Sequence, residues 1–313
     1  MRTFLVTGGA GFIGSHIAEA LVQRGDRVRV LDNLSTGNLA NLASFRDRIE
    51  LIKGDVVDAA TVDRAVAGVD CVFHEAALAS VQWSIDRPLD SHAACCTGTV
   101  HVLDAARRFG VRRVVFAASA AAYGDQPLSC KRETDLVDPL SPYAAAKLAS
   151  EHYCHAFSAA FKLETVALRY FNVFGPRQDP ASPYSAVIPL FITAMLAGGQ
   201  PVVFGDGRQS RDFVFVANVV QANLLAADAL GVAGRTFNVA EGRATDLLKL
   251  IELLNELLGT NVQPRHEPPR VGDVRESLAD ITQARKCLGY EPAVHFDEGL
   301  RRSIDYYRSI VKT

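Results

Sequence analysis

Tyr143 and Lys147 stand four residues apart in a stretch, 142–161, whose apolar residues recur at three- and four-residue spacing. On a helix that spacing puts the phenol and the ammonium on one face. A free phenol ionises near pH ~10, so it acts as a base at neutral pH only when its anion is stabilised, and a neighbouring ammonium does that. The two side chains are therefore a candidate proton-handling pair. Tyr-x-x-x-Lys also arises by chance in many helices. Ser119, just past the apolar run 114–118, adds a hydroxyl that shifts the balance toward chemistry.

A second cluster follows the first apolar run, 4–7: Thr7-Gly8-Gly9-Ala10-Gly11-Phe12-Ile13-Gly14, with glycines at 8, 11 and 14 opening a helical stretch. Such glycines serve a tight turn, a close backbone approach to pyrophosphate, and close helix–strand packing. The helix N-terminus then offers free N–H groups and a partial positive charge to the phosphates. Eighteen positions after Gly14, at the end of the next apolar run, stands Asp32. There a carboxylate accepts hydrogen bonds from the adenosine ribose hydroxyls and repels a 2′-phosphate, which favours NAD over NADP; alternatively Asp32 caps the following turn. Asp55, in Gly54-Asp55-Val56, is either a partner for the adenine amine or a helix N-cap.

The elements that must hold these groups alternate. Runs 4–7, 27–31, 49–53, 71–74, 114–118 and 165–170 are compact and apolar, as buried strands are, and 14–24, 59–67, 91–109, 142–161 and 188–197 carry helical spacing. That alternation predicts an α/β fold with a Rossmann-like doubly wound parallel sheet. From about residue 178 the regularity weakens and Pro and Gly cluster, with helices expected at 245–258 and 297–308. The expected division is a Rossmann domain over 1–177, re-entered around 208–238, and a smaller α/β C-terminal substrate lobe over 178–313.

At 313 residues, 49% hydrophobic and 22% charged, the chain has the composition of a soluble globular protein. Its 33 basic and 35 acidic residues leave a formal charge of −2, so no global field draws it to nucleic acid or to an anionic membrane. No run reaches the ~18 apolar residues of a membrane span, and the first residues lack a signal-peptide pattern. The six cysteines show no paired or Cys-x-x-Cys spacing, so a reducing cytoplasm is the expected location and no metal site is expected.

The glycine loop, Asp32, Ser119 and the Tyr143/Lys147 pair together resemble the extended short-chain dehydrogenase/reductase family over nearly the whole chain. Phe73-His74-Glu75-Ala76-Ala77, Ala122-Tyr123-Gly124, Leu168-Arg169-Tyr170-Phe171-Asn172-Val173-Phe174-Gly175-Pro176 and Gly205-Asp206-Gly207 with Arg211-Asp212-Phe213 are similar to its nucleotide-sugar members, the UDP-hexose 4-epimerases in particular. The resemblance implies that Gly8, Gly11, Phe12, Ile13 and Gly14 hold NAD at the pyrophosphate. Asp32, Asn33, Asp55 and Val56 would hold its adenosine, and Ala76, Ala77, Tyr143 and Lys147 its nicotinamide end. It further implies that Ser119 bonds the sugar hydroxyl, Tyr143 takes its proton and Lys147 supports both. Asn172, Arg211 and Arg270 would contact phosphate or ribose oxygens, Phe204 the uracil, and Asp273 a ribose hydroxyl, with Ser80 and Val187 also beside the substrate. Phe204 reads equally as a core residue.

Two departures from that family stand out. Cys95-Cys96-Thr97-Gly98-Thr99 replaces a stretch that usually begins with asparagine, which removes one expected hydrogen bond to the cofactor. Ala120 and Ala121 follow Ser119 where members that dehydrate or decarboxylate carry acids, so oxidation and re-reduction is the implied chemistry. Members acting on UDP-glucuronate usually carry threonine at the position of Asn172 and a basic residue in the next loop, where Arg177 keeps that reading open and Asp179 opposes it. A small residue matching Ser277 leaves space for a 2-acetamido group, so UDP-GlcNAc/UDP-GalNAc are expected as substrates alongside UDP-Glc/UDP-Gal; alternatively Ser277 ends a turn before a helix. A homodimer through a four-helix seam of 91–109 and 142–161 is expected as well. The non-enzymatic alternative, an NAD-sensing protein, usually lacks the tyrosine or the lysine.

Overall fold

The computed structural model describes residues 1–126, 130–180, 186–269 and 275–311. Its large sheet has seven strands in the order Arg235–Val239, Glu164–Tyr170, Arg113–Ser119, Cys71–His74, Thr3–Thr7, Arg27–Asp32 and Ile49–Lys53. Every pair is parallel. Helices cover both faces, which is why the central strands are apolar throughout and not alternating. One face packs the helices Phe12–Gln23 and Val216–Asp228, the other the helices Ala59–Val66, Gly98–Arg108 and Pro142–Phe161. In Phe12–Gln23 the buried stripe is Ile17, Ala18, Leu21 and Val22, and each large aliphatic side chain buried there contributes ~1.5–3 kcal/mol.

The strand order reverses beside Thr3–Thr7, with Arg27–Asp32 on one side and Cys71–His74 on the other. A crevice therefore opens at the carboxyl ends of these strands, where Gly8 and Glu75 lie. A smaller sheet carries Ala244–Asp246, Ser210–Phe215, Glu276–Ala279 and Cys130–Lys131 in order, with Asn172–Phe174 also paired to Ser210–Phe215. Its core is aromatic: Phe296 packs at 5.4 Å from both Phe174 and Phe213. The two sheets are joined through Phe171, between the end of Glu164–Tyr170 and the start of Asn172–Phe174.

Several elements differ from the spacing analysis, among them the strand Arg235–Val239, which no apolar run announces, and three helices. The helix expected at 91–109 begins as Pro88–His92, passes through a π turn at Ala93–Thr97 and continues as Gly98–Arg108. The Cys95 carbonyl there accepts the hydroxyls of Ser150 and Thr99, which gives that carbonyl partners within the wider turn. The helix at 245–258 starts at Leu247, because the Asp246 carboxylate accepts from Lys249 N at 2.8 Å. Val216–Asp228 escaped the periodicity because buried Asn218 and Asn223 interrupt its stripe; Asn218 Nδ2 donates to Val294 O, and Asn223 Nδ2 donates to Tyr170 Oη while its Oδ1 is buried without a partner. Among the described residues no helix is long and apolar enough to cross a membrane.

Candidate active site

The helix Pro142–Phe161 is started by the Ser141 hydroxyl, which accepts from Ala144 N at 3.2 Å, and by Pro142 in its first turn. Its inner face presents Tyr143 and Lys147 to the end of the strand Arg113–Ser119. Lys147 is 3% exposed, and its Nζ donates to Ala117 O at 2.8 Å and lies 4.9 Å from the Phe116 ring centroid. Burial pulls its ammonium below the ordinary lysine range, with Cys95 and Glu75 opposing. Burial pushes the half-buried Tyr143 phenol up, the Cys95 and Glu75 charges add to that, and a hydrogen bond with Ser119 works the other way. Ser119 ends its strand, in register with Tyr170 on the neighbouring one. Deeper in, Glu151 and Arg169 lock helix to sheet through a buried two-point ion pair of 2.7 and 2.9 Å, and Arg169 stacks 4.7 Å over the Tyr123 ring.

The glycine loop fits a dinucleotide. Gly8 has φ +66°, and a Cβ there would stand 2.7 Å from Ala76 N. A Cβ on Gly14 would stand 2.3 Å from Gly8 O, so any side chain would force the loop off the helix. Gly11 N donates to Gly8 O at 3.0 Å. The helix begins at Phe12 and Ile13 with no side-chain cap at Gly11 and no acid in its first turn, which leaves the donor end for an anion.

Asp32 is 7% exposed; its carboxylate accepts from Ala10 N at 2.9 Å and from Leu34 N at 2.8 Å. It thus caps the turn and also ties that turn to the glycine loop, with acceptor capacity left over. Asn33 Nδ2 donates to Asp55 Oδ2 at 2.7 Å, joining the ends of the second and third strands. Asp55 is not a helix cap: the next helix, Ala59–Val66, is capped by Asp58. Val56 is buried beneath them, where a Cβ on Gly98 would meet its side chain at 2.6 Å.

Past the fourth strand, His74 is fully buried between the Thr7 hydroxyl at 2.7 Å and the Thr99 hydroxyl at 3.0 Å. Burial, with the Lys147 charge, holds it down to about 3, so it is a neutral spacer fixing the segment that follows. In that segment Ala76 N donates to Thr7 Oγ1 at 3.3 Å, and Ala77 packs with Tyr143, Cys95 and Cys96. Ser80 Oγ accepts from Trp83 N as the cap of a short helix. Sequence reasoning assigned no role to Glu75 or Tyr170, although both lie in motifs it singled out. An acid at the end of an otherwise apolar strand was the available signal. Among the described residues no group of His, Cys, Asp and Glu is arranged to hold a metal.

In the smaller sheet, Arg211 and Ser277 are register partners on adjacent parallel strands. Ser277 therefore lies within a strand and not at the end of a turn. Asn172 pairs with Phe213, two residues beyond Tyr170. Phe204, half-buried, ends the strand Val202–Phe204 and stands outside the core cluster that holds Val203. Arg275 pairs with Asp206 at 2.9 and 3.0 Å, binding the strand that carries Ser277 to the turn after Phe204. Val187 opens the helix Val187–Leu196. Arg270 and Asp273 lie outside the described residues.

A doubly wound sheet with a glycine loop at its switch point and a Ser–Tyr–Lys group beside it defines a dinucleotide-dependent enzyme of the short-chain dehydrogenase type. Residues 4–240 match the model of the NAD dependent epimerase/dehydratase family. The chain is 40% identical to a UDP-glucose 4-epimerase of Mycolicibacterium smegmatis, over 99% of each chain. Among solved structures it is similar to a UDP-N-acetylglucosamine 4-epimerase from Methanobrevibacter ruminantium in complex with UDP-N-acetylmuramic acid, with TM-score 0.95, 39% identity and 99% of each chain covered. It is also similar to a UDP-glucuronic acid 4-epimerase from Bacillus cereus in complex with UDP-glucuronic acid and NAD, with TM-score 0.92, 28% identity and coverage of 98% and 99%. The chain belongs to the NAD dependent epimerase/dehydratase family.

Proposed function

We propose that the protein interconverts UDP-hexoses that differ at C4, accepting UDP-GlcNAc/UDP-GalNAc as well as UDP-Glc/UDP-Gal. The observation that carries this reading is the catalytic corner itself: Tyr143 shares a hydrogen bond with Ser119 and shares its helix face with buried Lys147, while Ala120 and Ala121 supply no further acid. Bound NAD supplies the acceptor, and later the donor, of the C4 hydride. Ser119 orients the C4 hydroxyl, Tyr143 takes its proton and returns it, and Lys147 keeps positive charge beside the phenolate. Ala120 and Ala121, where family members that dehydrate or decarboxylate carry acids, favour oxidation and re-reduction of the sugar. The glycine loop, Phe12, Ile13, Asp32, Asn33, Asp55, Val56, Ala76 and Ala77 are assigned to NAD. Ser80, Asn172, Val187, Phe204, Arg211, Arg270, Asp273 and Ser277 are assigned to the nucleotide sugar, so residues 1–177 mainly hold the cofactor and 178–313 mainly the substrate. Incubation of the purified protein with each UDP-sugar, followed by proton NMR, should yield a mixture of C4 epimers; unchanged sugars would reject the reading.

UDP-glucuronate is the second reading, carried by the likeness to the Bacillus cereus enzyme. It needs a free cation near the sugar, and Arg177 is drawn to the first helix instead, with Nη2 2.6 Å from Glu19 Oε2.

Asp32 predicts the cofactor form. Calorimetry should find NAD bound and NADP binding at least tenfold weaker, because its 2′-phosphate would face a carboxylate that already anchors the loop. Equal affinities would place the ribose elsewhere. We also propose a cytoplasmic homodimer. Val81, Ile85 and Leu89 are 47%, 54% and 81% exposed beside the Pro142–Phe161 helix, whose Tyr153 and Phe161 are exposed too. Sedimentation at micromolar concentration should give twice the chain mass, and a monomer would remove the seam.

A further inference from the structure

Beside Tyr143 and Lys147 runs a hydrogen-bond chain that this proton transfer leaves unused. Asn223 Nδ2, on the helix Val216–Asp228, donates to the Tyr170 hydroxyl at 2.7 Å, and Tyr170 donates to Glu75 Oε1 at 2.9 Å. The three residues come from a helix, the strand Glu164–Tyr170 and the segment after Cys71–His74. Asn223 is fully buried and Tyr170 is 8% exposed, and Asn223 Nδ2 also donates to Val219 O at 2.9 Å, so the chain is held in one arrangement. Glu75 sits hard against the glycine loop: a Cβ on Gly8 would stand 3.0 Å from the Glu75 carbonyl carbon.

Resting on the reading of Tyr143 as the proton-transferring group, we propose that Glu75 is a positioning residue whose carboxyl, held by Tyr170 and Asn223, sets the charge of the Tyr143–Lys147 pair. The charged groups facing it are few. Tyr143 and Lys147 come from the helix Pro142–Phe161 and Tyr170 from the sheet. His74, next in sequence, is neutral, and the Cys95 thiol lies beside Tyr143 and Lys147 from the π turn. Lys147 is thus the cation of this pocket, and two acids, Glu75 and Tyr143, compete for it. Burial lifts the Glu75 carboxyl to about 7, against the pull of the Tyr170 hydrogen bond and the Lys147 charge. Below that pH Glu75 is neutral and the phenol ionises more readily. Above it the carboxylate holds the phenol proton in place, so the two groups lose protons as a coupled set.

The test needs no substrate. In the NAD-loaded protein, the tyrosinate ultraviolet band is titrated with pH, and the contribution of Tyr143 is the part missing in Tyr143→Phe. Glu75→Gln keeps the size of the side chain and an acceptor for Tyr170 while removing the charge. The midpoint of Tyr143 should fall by about one pH unit in Glu75→Gln. Tyr170→Phe, which removes the donor that favours the Glu75 carboxylate, should raise the pH at which Glu75 ionises and leave the Tyr143 midpoint near the parent's, because Glu75 is already a carboxylate where the phenol titrates. A Tyr143 band absent from the parent below pH ~10 and present in Glu75→Gln would also support the proposal. An unchanged Tyr143 midpoint in Glu75→Gln, or a Tyr143 band absent from both that variant and the parent, would overturn it. Should Tyr143 not be the base, Tyr143→Phe would keep its turnover whatever the titration shows, so the two failures are told apart.

Discussion

Replacing Tyr143 with phenylalanine should lower turnover by roughly 10²–10⁴-fold, the range for losing a positioned acid or base. The substitution removes one oxygen from a half-buried ring whose packing partners are Cys95, Cys96 and Ala77. Folding should therefore persist, and NAD affinity should change little. The change deletes the group that meets Ser119 and leaves Lys147 on Ala117 O. A smaller loss at Lys147→Met would accord with a supporting role. Steady-state kinetics with matched NAD titrations would check both, and full activity in Tyr143→Phe would remove the assignment.

Ser277→Tyr should cut conversion of UDP-GlcNAc by roughly 10²-fold or more while conversion of UDP-Glc stays within a few fold. Ser277 lies half-buried on the strand Glu276–Ala279, in register with Arg211, which is proposed to hold the diphosphate. A phenol at that place would occupy the space proposed for the 2-acetamido group. A wide pocket normally still admits the smaller sugar, since a missing small group changes discrimination by only ~1–3 kcal/mol. Competition assays with the two sugars would read the ratio directly, and equal loss on both would mean that the substitution damages the strand and not a gate.

The parts of the site legible in the sequence are those made by local spacing. Gly8, Gly11 and Gly14 each answer a steric demand within one turn, and Tyr143 and Lys147 share a face because four residues are about one helical turn. Six of the seven strands of the large sheet were legible as compact apolar runs, whereas the edge strand Arg235–Val239, which reads Arg-Thr-Phe-Asn-Val, was not. The smaller sheet was not: Cys130–Lys131, Asn172–Phe174 and Ala244–Asp246 are two or three residues long, too short for any period to show. The π turn at Ala93–Thr97 depends on Ser150, a hydroxyl 55 residues away. The Asn223–Tyr170–Glu75 chain spans separations of 53 and 95 residues, which no local window contains. Asp32 shows the mixed case, its place after the second strand being visible while its bond to Ala10 N required the folded loop.

The proposed round trip at C4 can be tested with UDP-glucose carrying deuterium on that carbon. If Tyr143 and Ser119 serve an oxidation and re-reduction of one sugar in one site, the C4 epimer should form with its deuterium still on C4 and without net accumulation of reduced cofactor. Deuterium lost to solvent, or reduced cofactor formed in proportion to sugar consumed, would contradict the account.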